Sequence, residues 1–166
     1  MSNARTTERE QIEADPRPPV VSVSVVTYGS DVGHLGRALA SLASAVADFG
    51  EGLKPDVHLI LVDNGPVDEQ RSAALGAALS NWRGGCDLIA GHGNIGYGRG
   101  HNLAIQRADS RFHLILNPDV EIASDVLRYG LGFFRENPDC GVIAGAVRGE
   151  AGDLQYLCKR YPTVLD

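Results

Sequence analysis

Along this chain the spacing of apolar positions switches between a period of two and one of about 3.6 in regular alternation. Residues 20–26, VVSVSVV, are short and β-branched, the pattern of a buried strand. Leu35, Leu39, Leu42, Val46 and Phe49 then recur at steps of four and three, the stripe of an amphipathic helix. The alternation goes on to predict a strand over 57–62 (VHLILV), a weaker helix over 67–80 and a strand over 86–90 (CDLIA). It then predicts a helix over 101–108 and a strand over 112–116 (FHLIL). Ser124 reads as the cap of a further helix whose stripe is Leu127, Leu131 and Phe134, and 141–147 (GVIAGAV) as a last strand. Strands and helices in such succession predict an α/β fold, a three-layer α/β/α sandwich around a mainly parallel, Rossmann-like sheet. Ligands of such sheets sit beyond the carboxyl ends of the strands, so function is to be sought there.

Composition narrows the class without naming it. A chain of 166 residues with 43% hydrophobic and 22% charged residues is long enough for one domain with a sizeable core. No apolar run approaches the roughly 18–20 residues of a membrane span, and the first 19 residues, polar and ending in prolines, read as a disordered arm ahead of a domain over 20–166. A net charge of −6 without a Lys/Arg stripe argues against nucleic acid as a partner. Cys86, Cys140 and Cys158 form no C-x-x-C pair, which suggests neither a disulfide framework nor a zinc site and points to a reducing, cytoplasmic setting.

Four polar segments follow the predicted strands: TYGS from Thr27, DNGP from Asp63, the glycine-rich GHGNIGYGRGHN over 91–102, and NPDV from Asn117. Each alone is ordinary turn chemistry, but all four fall at one edge of one sheet. GHGNIG matches the G-x-G-x-x-G dinucleotide pattern, with Asp119 near the end of the next strand as its acidic partner, so an NAD-binding Rossmann domain is one alternative. Against it, two complete βα units precede the motif, and Gly98 and Gly100 stand between it and the apolar part of the predicted helix. Gly93, Gly96, Gly98 and Gly100 read as positions where the backbone takes positive φ and approaches a bulky ligand, and amides at the following helix start can face an anion. His58 and His113 lie in strands and read as packing residues, and His34 as solvated. For His92 and His101, beside the loop, ligand contact and a plain polar role both stay open.

Taken together, SVVTYGS, LVDNGPVD, GNIGYGRGHNLAI and LILNPDV, continued by GVIAG and LQYLCKRYPT, resemble the donor-nucleotide half of the inverting family 2 glycosyltransferases, which have the GT-A fold. The rhamnosyltransferase-like members, with N-P-D where others carry D-x-D, are the most similar. The resemblance implies that Thr27 and Tyr28 line base and ribose with Gly29 beside them, and that Asp63 with Asn64 meets the pyrimidine. It also implies that the loop with Gly93, Asn94, Gly96, Gly98 and Asn102 borders diphosphate and sugar, and that Asp119 binds the divalent ion. By its own chemistry, Asn117 can add an oxygen to that ion directly or through water. Gly29 departs from the family, which most often has Asn there.

The chemistry suits these residue types. A nucleotide-sugar donor leaves as a nucleoside diphosphate, and with no basic cluster at the strand ends, Mg2+ or Mn2+ held by Asp119 is the economical counter-charge. An ionised Asp63 accepts the imide N–H of uracil or thymine and repels the N3 acceptor of cytosine, which points to a UDP- or dTDP-sugar. The acceptor expected is a glycan or lipid-linked molecule of polysaccharide biosynthesis, met in the cytoplasm or at the inner face of the membrane by a protein without a transmembrane segment. An inverting transfer also needs a general base, which the resemblance places in a later segment. The chain is therefore expected to be truncated on its C-terminal side, with no catalytic base of its own and no activity alone. A non-catalytic nucleotide-binding module is the alternative from another class.

Overall fold

The computed structural model describes residues 21–29, 32–49, 55–149 and 151–155. The expected N-terminal arm and the stretch after Gln155 lie outside the described residues. In chain order the elements are β1 (Val21–Thr27), α1 (Val32–Ala47), β2 (Val57–Asp63), α2 (Glu69–Leu79), β3 (Gly85–Ile89), α3 (Tyr97–Ile105), β4 (Phe112–Leu116) and α4 (Val126–Glu136), followed by the two-residue strands β5 (Val147–Arg148) and β6 (Leu154–Gln155). The first four strands form one wholly parallel sheet in the order β3-β2-β1-β4.

Side-chain alternation along the central strands decides which helix covers which face. Val21, Val23 and Val25 of β1, Leu59 and Leu61 of β2, and Leu116 of β4 join the buried positions of α1, Leu75 of α2 and Leu127 of α4 in one core. Val26, Ile60, Val62 and Ile89 point the other way and pack with Ala104 of α3 in a second, smaller one. α3 is therefore the helix on the second face among the described residues, and β1, buried throughout, and β2 face both layers.

The strand ends acquire their geometry from this order. The chain runs outward from β1 to β2 to β3 and then returns to the far side of β1 for β4, so the strand order reverses between β1 and β4. That reversal is a topological switch point, and α/β sheets bind ligands in the crevice outside the carboxyl ends of the strands there.

Three expectations need correction. The helix expected over 101–108 begins at Tyr97, because Gly98 and Gly100 are helical and not part of the loop. Ser124 is not the cap of α4; Asp125 takes that position without a capping side-chain bond, and the Val126 amide bonds the Ala123 carbonyl. The strand expected over 141–147 is absent apart from Val147, which pairs antiparallel through β5 with β6. The GVIAG run is apolar enough for a strand but finds no partner among the described residues, and Val142 stays 85% exposed.

Candidate functional site

At the β1/β4 crossover lies an open cleft of about 550 Å3 lined by Val26, Thr27, Tyr28, Asn64, Asn94, Gly96, Tyr97, Asn117, Pro118 and Asp119. That volume lies in the range of small-molecule sites, roughly 300–1,000 Å3. All four strand-end segments contribute to it: the ends of β1 and β2, the β3 loop with the first turn of α3, and the turn after β4. Of the expected site residues, Thr27, Tyr28, Asn64, Asn94, Gly96, Asn117 and Asp119 line the cleft, whereas Gly29, Asp63, Gly93, Gly98 and Asn102 do not.

The glycines divide by backbone. Gly93 and Gly96 have φ of +68° and +86°, and Gly91 also has +86°, so this part of the loop takes a path that L side chains resist. Gly98 and Gly100 lie inside α3. A Cβ on Gly100 would stand 2.9 Å from both methyls of Val26, so its use is close contact between helix and sheet. Gly96 is the N-cap of α3, and its amide donates to Asn94 Oδ1 at 2.9 Å, leaving the first amides of the helix at the cleft. Gly29, the departure from the family pattern, has φ +59°; Asn and Gly are the residues that tolerate this left-handed region best, so the backbone demand is met either way.

Beneath the β1 and β2 ends lies an ion pair that sequence reasoning missed. Asp63, 2% exposed, accepts from Arg71 Nη2 at 2.8 Å and Nε at 3.1 Å, and from the Gly65 amide at 3.2 Å. The same guanidinium donates to Thr27 Oγ1 at 3.1 Å, tying both strand ends together. The hydrogen bond to Asp63 raises the Arg71 pKa, against the opposing effect of burial. The signal was present in Asp68: as N-cap it accepts the Arg71 amide at 2.7 Å, which starts α2 so that position 71 lies in its first turn. Beside this pair, Asn64 Oδ1 is buried in the cleft wall without a hydrogen-bond partner among the described residues.

Opposite, Tyr97 donates its hydroxyl proton to Asn117 Oδ1 across the mouth of the cleft. Burial, and next the charge of Asp119, push the Tyr97 pKa up. Asp119 is exposed and is the one carboxylate among the residues lining the cleft. The described residues contain no group of three His, Cys, Asp or Glu that would enclose a metal ion by themselves. A single carboxylate on an open cleft instead suits an ion that takes its remaining ligands from water and a substrate's phosphates.

Neither histidine beside the glycine loop lines the cleft, and His113 lies in β4 as expected. His101 faces inward from α3, 3% exposed, and shares the Ser24 hydroxyl with His113 of β4. His92 holds the Gly93 carbonyl through Nδ1 at 2.7 Å and does not line the cleft.

A family model described as glycosyl transferase family 2 matches residues 22–160. Among solved structures, residues 1–349 of S. aureus TarS are similar with 24% identity and a TM-score of 0.55, over 70% of this chain and 32% of that one. The same TarS fragment in complex with UDP-GlcNAc gives 24% identity and 0.55, over 70% and 31% of the two chains. The mannosyltransferase PcManGT from Pyrobaculum calidifontis, in complex with GDP-Man and Mn2+, is 18% identical with a TM-score of 0.57, over 79% of this chain and 39% of that one. The chain thus spans about a third of the length of these similar structures. No curated protein matches the sequence.

Proposed function

Because the chain belongs to glycosyl transferase family 2, we propose that the β1/β4 cleft binds a UDP- or dTDP-sugar with Mg2+ or Mn2+ for inverting transfer to a glycan or lipid-linked acceptor. The observation that carries this reading is the convergence of all four polar strand-end segments on one cleft at the crossover of the sheet. The N-P-D segment at Asn117–Asp119 supports a rhamnosyltransferase-like subtype, and the similarity to structures holding UDP-GlcNAc or GDP-Man with Mn2+ supports a nucleotide-sugar and a divalent ion.

Each wall then has its task. Asp63 lies beneath the cleft and not in its wall; it accepts three hydrogen bonds within the protein, and Oδ2, bonded only to Arg71 Nε among these, keeps a lone pair that the imide N–H of a pyrimidine would have to reach from above. The orphaned Asn64 Oδ1 calls for a second donor hydrogen, such as a ribose hydroxyl offers. Thr27 accepts from Arg71, which leaves its own O–H to donate toward the ligand. The first amides of α3 face the diphosphate, a short extension of the helix-terminus logic for anions. Asp119 would hold the divalent ion, which when bound offsets the charge that grows on the departing diphosphate. Tyr97 keeps Asn117 aimed at the same place.

The proposal is tested by thermal denaturation with UDP, dTDP, GDP, CDP or NAD, each with and without Mn2+. At a hundredfold excess over Kd, a nucleotide that binds only the folded chain raises the melting temperature by roughly 5–10 °C. UDP or dTDP with Mn2+ is expected to do so and NAD is not. Stabilisation by NAD alone would return the glycine loop to the dinucleotide reading, for which α3 starting directly after Gly96 is a favourable feature.

A further inference from the structure

Under the cleft, five side chains from three elements and one loop form a hydrogen-bonded chain whose proton order follows from its end. A carbonyl only accepts, so Ser110 Oγ donates to the Phe112 carbonyl at 2.9 Å. Having spent its one proton, Ser110 accepts from Ser22 Oγ at 2.6 Å. Ser22 must then accept from His113 Nδ1 at 2.7 Å, which places a proton on that nitrogen. In neutral His113 Nε2 is bare and accepts from Ser24 Oγ at 2.8 Å. Ser24, its proton used, accepts from His101 Nδ1 at 2.7 Å. The chain ends at His101 Nε2, which is buried and has no partner among the described residues.

His101 in turn touches the cleft wall. The Tyr97 ring packs edge-on against the imidazole with centroids 4.4 Å apart and planes at 74°, and the Tyr97 hydroxyl bonds Asn117. We propose that His101 is a positioning residue of the donor cleft: a neutral imidazole protonated on Nδ1, ordered through Ser24 and His113, that holds Tyr97 and through it Asn117. This rests on the reading of the cleft as the donor site. Acid reverses the order. A proton added at His113 Nε2 turns the Ser24 hydroxyl toward His101 Nδ1, and His101 moves its own proton to Nε2, a buried donor facing no acceptor. The titratable groups against His101 are His113 from β4 and Tyr97 from its own helix, with Asp119 acting beyond Tyr97; β1 presents only the two serines. Burial lowers the pKa of both imidazoles, and His113 lowers that of His101 further, which keeps the neutral order in force at neutral pH.

Long-range 1H–15N correlation spectra of the ligand-free chain at pH 7.5 read the tautomers directly. Protons on Nδ1 of both His101 and His113 are expected, and an Nε2–H tautomer at either one overturns the proton order. The positioning role is read in Ser24→Ala, which touches neither Tyr97 nor the cleft. Its Tyr97 ring resonances are expected to move, and UDP affinity with Mn2+ to fall roughly three- to tenfold, the worth of one neutral hydrogen bond. Unchanged Tyr97 resonances in Ser24→Ala refute the positioning role. Absence of UDP binding in the unsubstituted chain refutes the donor reading instead, while the tautomers and Tyr97 still decide the network.

Discussion

Arg71 and Asp63 illustrate how much a single pair can decide at the site without lining it. Their side chains are 13% and 2% exposed, so removing the cation leaves a carboxylate with little water to replace it. Arg71→Ala is expected to destabilise the chain by about 3 kcal/mol or more in urea denaturation, the cost of an orphaned buried charge. Arg71→Lys should fall between, because it restores charge without the two-pronged geometry; equal stability of all three chains would mean that the pair contributes nothing. Asp119 is the opposite case, an exposed carboxylate whose expected loss is functional. Asp119→Ala should change stability by less than about 0.5 kcal/mol while abolishing the Mn2+-dependent part of UDP binding in calorimetric titration. Metal dependence that survives the substitution would remove Asp119 from the ion's ligands.

For the elements, α3 gives the sharpest contrast. Gly98 and Gly100 belong to the same helix two residues apart, yet a Cβ meets open space at Gly98 and both Val26 methyls at 2.9 Å at Gly100. Gly98→Ala should therefore stabilise by about 0.5–1 kcal/mol through helix preference alone. Gly100→Ala should cost about 1–3 kcal/mol by pushing the helix off the sheet. Equilibrium denaturation of both variants tests this, and similar values for the two would show that α3 does not seat on Val26 as described. The contrast also accounts for one error of sequence reasoning: four glycines in eight residues look like one loop, because what distinguishes a glycine needed for φ from one needed for space is the neighbour it meets.

Across the whole molecule, the buried imidazole of His101 and the half-buried one of His113 link stability to pH. Their folded pKa values are lowered from the ordinary 6.5, so in the window below it the unfolded chain binds more protons. Their contribution is thus fully present above about pH 6.5 and is lost as the pH falls toward the folded values. Urea denaturation at pH 7.5, 6.5 and 5.5 should show stability falling in that order, and a flat profile would show that the pair is not held neutral. The sequence by itself determined the order of elements, because apolar period is a local property: Leu35, Leu39, Leu42 and Val46 lie on the buried face of α1 as their spacing predicts. It also marked the four strand-end segments, since turn and loop residues announce themselves singly. The strand order and what lay beneath the ends were decided only in three dimensions. β4 docking beside β1 makes the cleft, Arg71 reaching back to Asp63 ties its floor, and His101 and His113, twelve residues apart in sequence, become neighbours only because α3 lies over Ser24. The failed strand at 141–146 has the same cause, for an apolar run specifies that a segment wants a partner, while hydrogen bonding across a sheet requires that one be there.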